Sequence, residues 1–196
     1  MNHVLSNLLD VGVLAYMDDI LVYAKNKEEH DHLVKEVLRK LQENGLAVSP
    51  GKCVWKTHKV EFLGCVIGRD GIKTSKEKVE AVVGWKTPES LTEVQSFLGF
   101  ANFYQRFIQN YSRIARPLTE LTKKEKKEEW AWNQEAQTAF EELKQRFTTA
   151  PILVHFDLTR SVMIESDVSD FALGAVLFQR DEENCLHPVA FHSRKF

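Results

Sequence analysis

Two short, β-prone apolar runs lie near the start of the chain, on either side of an acidic pair. The runs Val13–Met17 and Ile20–Tyr23 flank adjacent carboxylates at Asp18 and Asp19. Apolar runs of this length that are bounded by a polar pair predict two strands meeting at a tight turn. A similar pattern predicts a second hairpin over Val60–Gly71.

The second predicted hairpin contains a Phe-Leu-Gly motif at residues 62–64. We expect this motif to lie in the first arm of the hairpin, and Arg69-Asp70-Gly71 to form its turn. Taken alone, the motif is typical of a core strand with a glycine bulge. Residues 46–48, Leu-Ala-Val, predict a further short strand before it.

Apolar residues at helical spacing dominate two other parts of the chain. Asn26 and Glu29 have the spacing of a capping box, which predicts a helix that ends near Gly45. Ser90 and Glu93 repeat that spacing and predict a second capped helix. The other predicted helices are a short one over residues 3–12, one from Ser75 to Trp85, a short one through Ile114, Leu118 and Leu121, and one capped by Asn133.

Strand-like runs return towards the end of the sequence. They cover Val162–Asp167, Ala172–Gln179 and Pro188–Phe191, and the polar segment Asp181–Asn184 separates the last two. This order predicts an antiparallel meander. Asp167 is then a carboxylate at the end of a strand, which is an ordinary structural feature unless a metal site is built around it.

The composition is that of a typical globular protein, with 43% hydrophobic and 28% charged residues in a chain of 196. The net charge of −2 argues against an independent nucleic-acid binder but is compatible with a local basic groove in a larger enzyme. No apolar run reaches the length of a membrane span, and a signal peptide's basic start is missing. Cys53, Cys65 and Cys185 are widely spaced and are expected to be buried thiols in a reducing compartment.

The acidic pair is the first candidate for chemistry. Two aspartates held side by side repel each other and are costly to desolvate, so a position between buried strands predicts a compensating cation. Mg²⁺ prefers carboxylate oxygens and leaves positions open for substrate phosphates. Two such ions support an in-line phosphoryl displacement. The alternative is a solvated Asp-Asp turn that binds no metal, because turns favour aspartate for local reasons.

Four landmarks along the chain resemble the reverse transcriptase of gypsy-like long-terminal-repeat retrotransposons. They are Tyr-Met-Asp-Asp at 16–19, Phe-Leu-Gly at 62–64, Phe-Leu-Gly with Asn-Phe-Tyr at 97–99 and 102–104, and Ser-Asp-Val-Ser-Asp with Gly-Ala-Val-Leu at 166–170 and 174–177. The resemblance covers the whole chain. It implies an α+β fold, in which a partial reverse-transcriptase palm with a helical thumb is followed by the first strands of a ribonuclease H-like domain.

The resemblance also implies a reaction, the addition of deoxynucleotides to a primer 3′ hydroxyl on an RNA or DNA template. Asp18 and Asp19 would bind the catalytic metal, Mg²⁺ or alternatively Mn²⁺. Tyr16 and Met17 would lie under the primer terminus and the incoming nucleotide. Lys52 matches a lysine that would stabilise the pyrophosphate leaving group, since an ammonium favours developing negative charge.

Two further sites follow from the resemblance. Phe62, Leu63 and Gly64 would hold the primer 3′ end, and glycine at the last position would let the backbone approach a ligand closely. Asp167 would be the first metal ligand of the ribonuclease H site, whereas Asp170 is expected to be structural. The partners implied are an RNA or DNA template-primer and deoxynucleotides, with no membrane and an intracellular location.

The family's domains map onto four consecutive segments of the chain. Residues 1–72 would form the end of the palm, 73–122 the thumb, 123–160 a tether and 161–196 the start of the ribonuclease H-like domain. Within the tether, the charge run 123–129 is expected to be a solvated connector. In the thumb-like segment we expect the aromatic residues to form the core, while Arg106, Arg113 and Arg116 either contact phosphates or form a solvated face.

Parts of the family's enzyme have no counterpart in this sequence. The fingers, the earlier palm strand with a further metal-binding aspartate, and the remaining ribonuclease H ligands are not found, which predicts missing polyprotein segments. We therefore expect little or no polymerase activity and no RNA cleavage from this chain alone. Two alternatives remain open: a domesticated, non-catalytic module that binds nucleic acid or protein, and an inert product of a decayed retroelement.

Overall fold

The computed structural model describes residues 1–123 and 130–196. The chain divides into two compact units, Met1–Thr57 and His58–Phe196. Most of the predicted connector, residues 124–129, lies outside the described residues. The division between units falls inside the segment 1–72, and the four family-based domain boundaries remain a prediction.

The first unit consists of a hairpin and one helix. Strands β1 (Val13–Tyr16) and β2 (Asp19–Val22) pair in antiparallel fashion, as predicted, and helix α1 covers Lys27–Glu43. The Asn26 side chain accepts a hydrogen bond from the Glu29 backbone N–H at 2.8 Å, which confirms the predicted cap. The small core of the unit contains Leu5, Val13, Val37 and Leu41.

Two predictions for the first unit are wrong. Residues 3–12 form a series of turns instead of a regular helix, although Leu5 is fully buried among them. Residues 46–48 are not a strand, and Leu46 and Val48 are 39% and 37% exposed. Residues 46–48 are not part of any sheet, whereas Leu9 forms an isolated bridge to Val13 of β1 and the Asp10 N–H donates to the Val13 carbonyl. A short 3₁₀ turn, Pro50–Lys52, follows.

The second unit begins with a three-stranded antiparallel meander of β3 (Lys59–Phe62), β4 (Cys65–Gly68) and β5 (Gly71–Thr74). The expected position of the Phe-Leu-Gly motif is wrong in detail. Only Phe62 lies in a strand, because Leu63 and Gly64 themselves form a two-residue turn between β3 and β4.

In the described part of the second unit, five α-helices and the 3₁₀ turn Gln105–Phe107 form the main core. The helices are α2 (Lys76–Val83), α3 (Leu91–Phe103), α4 (Tyr111–Ile114), α5 (Arg116–Leu121) and α6 (Gln134–Thr148). The predicted caps of α3 and α6 are confirmed, since Ser90 and Asn133 accept hydrogen bonds from the backbone N–H groups of Glu93 and Ala136. Ser75 precedes α2, but its hydroxyl has no partner among the described residues. The largest fully buried side chains in this core are Phe97, Phe107, Phe140 and Phe147.

The last three strands form the predicted antiparallel meander. Strands β6 (Val162–Val168), β7 (Ala172–Arg180) and β8 (Leu186–Lys195) are paired in that order. The first two are one residue longer than predicted, and β8 is longer at both ends. All seven residues of β6 are exposed, including Val162, Ile164 and Val168. Strand β6 is therefore an open, largely apolar edge.

Backbone contacts connect the two sheets and the helices of the second unit. Ile72 and Leu153 exchange two backbone hydrogen bonds, and the next residue, Val154, donates to Pro188 in β8. The Ser112 N–H of α4 donates to the buried Ser193 hydroxyl of β8 at 2.9 Å. The helices and the strands β6–β8 are thus fixed to each other within one unit.

Candidate functional site

The acidic pair lies at the tip of the first hairpin. Tyr16, the last residue of β1, pairs with Asp19, the first residue of β2, so Met17 and Asp18 form the turn between them. Met17 has a positive φ of 51°, in the left-handed region that two-residue hairpin turns require. The prediction of two strands meeting at this point is confirmed.

Asp18 and Asp19 are both exposed. The expectation that buried strands desolvate the two carboxylates is therefore wrong, since the turn carries them beyond the buried part of β1. Tyr16 and Met17 beside them are 47% and 76% exposed. Repulsion between neighbouring carboxylates still favours a bound cation, but burial contributes nothing to it.

The carboxylates of Asp18 and Asp19 are the type of ligand that a hard divalent cation prefers, but there are only two of them. Carboxylate oxygens are the ligands that Mg²⁺ prefers. Within residues 1–123 and 130–196, no group of three or more His, Cys, Asp or Glu side chains is arranged to hold a metal ion. Asp18 and Asp19 would therefore supply two ligands of an octahedral ion, and the remaining ligands would come from water, substrate phosphates or other protein segments.

Lys52 lies in the 3₁₀ turn Pro50–Lys52 of the same unit and is exposed. The neighbouring Cys53 thiol donates to the Ser49 carbonyl at 3.2 Å. The ammonium of Lys52 is thus accessible to an anion, and its assignment to a leaving group stays a prediction.

The Leu63-Gly64 turn packs tightly against Tyr104, the residue that follows α3, and against Lys78 of α2. Leu63 and Gly64 both have positive φ, 51° and 70°. A Cβ atom added at Gly64 would clash with the Tyr104 hydroxyl and would lie 3.2 Å from Lys78 side-chain carbons. Glycine is needed here for both its backbone conformation and its size.

An open cavity of about 360 Å³ adjoins this turn. Its walls combine the turn with one cation and three aromatic rings: Leu63, Gly64, Lys78, Phe100, Phe103 and Tyr104. Burial raises the pKa of the Tyr104 hydroxyl to about 12, so this group stays neutral at physiological pH. The cavity therefore presents a glycine backbone, aromatic rings and an ammonium to a ligand.

Sequence reasoning missed two residues of this cavity. Phe103 was expected in the core with the other thumb-like aromatics, but it is 50% exposed. Its position on the helix could have revealed this exposure, because Phe103 lies outside the apolar stripe formed by Val94, Phe97, Ala101 and Tyr104. Lys78 carried no signal of its own, since a lysine on an amphipathic helix is ordinarily solvated.

Asp167 lies in β6 opposite Gly174 of β7 and is exposed. Gly174 is held close to another element, because a Cβ atom there would clash with the Asn110 side-chain oxygen. Glu165 is two residues from Asp167, on the same face of the strand. Asp170 follows β6 and is also exposed. No further carboxylate completes a three-ligand group with Asp167 in the described part of the chain.

The structure thus groups the predicted residues into separate places. Asp18 and Asp19 share one turn with Tyr16 and Met17, in the first unit. Phe62, Leu63 and Gly64 share another turn, in the second unit, and Asp167 lies on the open edge strand β6.

Cys185 is exposed, so its expected burial is wrong, while Cys53 and Cys65 are partly buried. Burial raises the pKa of the Cys65 thiol. No helix among the described residues is long and apolar enough to cross a membrane.

Two family models match this chain, one at each end. The reverse transcriptase (RNA-dependent DNA polymerase) family matches residues 1–67, and the RNase H-like domain found in reverse transcriptase matches residues 132–196. The first match contains both hairpin turns described above. The second contains α6 and all three strands of the last sheet. Enzymes of these families generally use divalent metal ions.

Relatives and solved structures agree with these matches. The Tf2-3 and Tf2-4 transposon polyproteins of Schizosaccharomyces pombe are 36% identical to the chain over 194 residues, which is 99% of this chain and 14% of each polyprotein. Foamy viral protease-reverse transcriptase, solved with double-stranded DNA and with an RNA/DNA hybrid, matches with a TM-score of 0.76 and 26% identity. Both matches cover all of this chain, and 34% and 26% of those chains. The chain thus belongs to the reverse transcriptase/ribonuclease H family of gypsy-like long-terminal-repeat retrotransposons.

Proposed function

We propose that this chain contributes the Asp-Asp hairpin and the primer-holding turn of an RNA-directed DNA polymerase. The observation that carries the proposal is the pair of exposed carboxylates, Asp18 and Asp19, at the tip of a two-stranded hairpin in a chain of this family. In the reaction, the primer 3′ hydroxyl attacks the α-phosphorus of a deoxynucleoside triphosphate and pyrophosphate leaves. Mg²⁺ or Mn²⁺ held by these carboxylates would stabilise the charge of the attacking and leaving oxygens.

The residues around the carboxylates have complementary roles in this proposal. Tyr16 and Met17 are exposed on the same hairpin and would support the primer terminus and the incoming nucleotide. Lys52 would balance negative charge on the departing pyrophosphate, since its ammonium is solvent-accessible. None of these side chains needs to move out of a core to meet a substrate.

The second unit would hold the nucleic acid. Gly64 lets the Leu63-Gly64 turn pack against Tyr104 and Lys78 at the wall of the cavity, where a primer strand would meet the turn. Phe103 offers an exposed ring and Lys78 an ammonium at the edge of the same cavity, a combination suited to a sugar-phosphate strand. The foamy viral relatives were solved with double-stranded DNA and with an RNA/DNA hybrid, which supports a template-primer as the partner here.

Asp167 would be one metal ligand of a ribonuclease H site. A single carboxylate cannot hold the two ions of that mechanism, so RNA cleavage would require ligands from other segments of a longer polyprotein. The chain spans 14% of the Tf2 polyproteins it matches. We accordingly expect little or no primer extension by the 196-residue polypeptide itself, and an intracellular location for the polyprotein.

Metal binding at the hairpin tests the proposal without requiring activity. In the 196-residue protein, Mn²⁺ should broaden the backbone NMR signals of residues 16–20 at substoichiometric concentrations. Asp18→Asn should remove most of this effect, because it leaves one carboxylate at the turn. Asp70→Asn, at the exposed β4–β5 turn, is the matched control and should leave the broadening at residues 16–20 unchanged.

The same experiment separates the proposal from a non-catalytic interaction module. The exposed ring of Phe103 beside Lys78 is the observation that favours such a module, because it could bind a partner without any metal. A module of that kind would bind nucleic acid but show no selective broadening at residues 16–20. Equal broadening in the wild type and in Asp18→Asn would contradict metal binding by the acidic pair.

A further inference from the structure

A second cavity, of about 300 Å³, lies in the second unit where helices α4 and α5 meet the last sheet. It is separate from the cavity at the Leu63-Gly64 turn, and it contains Arg116, for which the sequence left a phosphate contact and a solvated face as alternatives. Three cations line it, Arg116, Lys123 and Lys195, together with the carboxylates Glu120 and Asp170. The side chains of the lining therefore carry an excess of one positive charge, a count that leaves out the terminal carboxylate of Phe196, which also lines the cavity.

Arg116 is held in place by an aromatic ring. Its guanidinium carbon lies 3.5 Å from the centroid of the Phe171 ring, the distance of a close cation–π stack. Among the described residues, no carboxylate lies within ion-pair distance of Arg116, unlike Arg39, Arg146 and Arg160. Stacking fixes the plane of the guanidinium and leaves its N–H groups available to a ligand.

The two lysines are organised by one carboxylate. Glu120 contacts Lys123 at 2.5 Å through one oxygen and Lys195 at 3.2 Å through the other. The hydrogen bond from Lys123 lowers the pKa of the Glu120 carboxyl, so this group is ionised at neutral pH. Each ammonium has three donors, and contact with one oxygen leaves donors for a second acceptor.

We propose that this cavity binds a phosphate group, with Arg116 as the main ligand and Lys123 and Lys195 as supporting cations. A planar guanidinium matches two phosphate oxygens at once, which favours phosphate over an isolated carbonyl or hydroxyl ligand. The phosphate comes either from the backbone of a nucleic-acid strand or from a free phosphate ion. The nucleic-acid source rests on the proposed function, whereas the phosphate chemistry does not.

Titration of the isotope-labelled 196-residue protein with inorganic phosphate tests the proposal directly. The Arg116 side-chain Nε–H signal and the amide signals of Asp170, Phe171 and Lys195 should shift and saturate. Sodium chloride at matched ionic strength should not reproduce these shifts. Unsaturated shifts of equal size with both salts would overturn the proposal, and this test needs no variant.

Variants then identify the side chain that binds the phosphate. Arg116→Gln should weaken phosphate binding at least fivefold, whereas Arg146→Gln removes the same charge from the surface of α6 and should leave binding unchanged. Phe171→Leu keeps the cation but removes the ring beneath it, and should weaken binding less than Arg116→Gln. Equal affinities in the wild type and in Arg116→Gln would contradict the role of Arg116.

A second titration with a short RNA/DNA hybrid distinguishes the two sources of phosphate. If the source is a nucleic-acid strand, the hybrid should shift the same signals. Arg116→Gln should then make the negative slope of log affinity against log salt concentration shallower by about one. If the cavity signals respond to phosphate but not to the hybrid, the ligand is a free phosphate. A wild type that does not bind the hybrid at all would contradict the nucleic-acid part of the proposed function, and the phosphate titration would still decide this inference.

Discussion

At the residue scale, two non-glycine side chains occupy left-handed backbone conformations at the tips of candidate sites. Met17 and Leu63 both have φ of 51°, a region where Gly, Asn and Asp are the common residues. Such conformations cost about 1–3 kcal/mol and cluster at functional positions. The two hairpin turns therefore share a local strain that glycine or asparagine at the same positions would reduce.

Gly64 allows the clearest residue-scale prediction. Gly64→Ala should lower the free energy of unfolding by about 1–3 kcal/mol, because the new methyl group meets the Tyr104 hydroxyl and φ is 70°. The measurement is chemical denaturation followed by tryptophan fluorescence.

Gly99→Ala is the matched control for this change. Gly99 lies in α3, and a methyl group added there would meet nothing within 4 Å, so alanine should stabilise the protein by about 0.5–1 kcal/mol. Combining Gly64→Ala with Tyr104→Phe should recover part of the loss, since the contacting oxygen is gone. A Gly64→Ala protein as stable as the wild type would show that the turn does not pack against Tyr104.

At the element scale, local sequence signals determined where helices begin. The availability of a neighbouring strand for backbone hydrogen bonds determined which apolar runs became strands. Asn26, Ser90 and Asn133 each cap a helix as expected, because a cap involves only neighbouring residues. Residues 46–48 have a strand-like composition but no strand to pair with, and they stay irregular. A strand requires backbone partners that can lie far away in the sequence.

The open edge of β6 leads to an element-scale prediction. An exposed apolar edge strand offers unpaired backbone groups to other molecules, so the protein should self-associate at high concentration. Ile164→Lys, at a side chain that is 67% exposed, should raise the solubility limit several-fold with little change in thermal stability. Light scattering and the saturation concentration provide the measurement.

Leu158→Lys separates the edge effect from the effect of added charge. Leu158 is 90% exposed and lies outside the strands, so its lysine variant carries the same charge change at a site that pairs with nothing. Its solubility should rise less than that of Ile164→Lys. Equal gains would mean that the replacement of an exposed apolar side chain, and not its place on the strand edge, controls self-association.

At the scale of the whole molecule, the chain contains two units of very different size. The first has 57 residues and a core of four buried side chains, whereas the second is built around a large aromatic core. Small domains bury a smaller fraction of their surface and are correspondingly less stable. The acidic pair thus lies in the unit with the smaller core, and the Leu63-Gly64 turn lies in the unit with the larger one.

This difference predicts separate opening of the two units. Hydrogen exchange should show lower protection for α1 than for α6. Asn26→Ala should reduce protection of α1 by about 1 kcal/mol and leave α6 unchanged, because it removes a cap that only the first unit uses. Asn133→Ala should do the reverse. Identical protection of both helices, and identical responses to both variants, would indicate a single cooperative unit.

The sequence by itself determined the caps at Asn26, Ser90 and Asn133, the first hairpin, the final meander and the family. These features depend on residue types at short, fixed spacings, and the landmark motifs that identify the family are local as well. The proximity of Asp18 and Asp19 to Tyr16 and Met17 is equally local, because the four residues are consecutive and belong to one hairpin tip.

Only the tertiary structure decided which side chains are exposed and which distant residues meet. Burial of the acidic pair was expected and is not found, since the turn extends beyond the strands that flank it. Phe103 and Lys78 beside Gly64, and Arg116 stacked on Phe171, bring together residues from separate elements. Their proximity follows from the packing of helices and strands, and no pattern along the chain encodes a distance between residues so far apart.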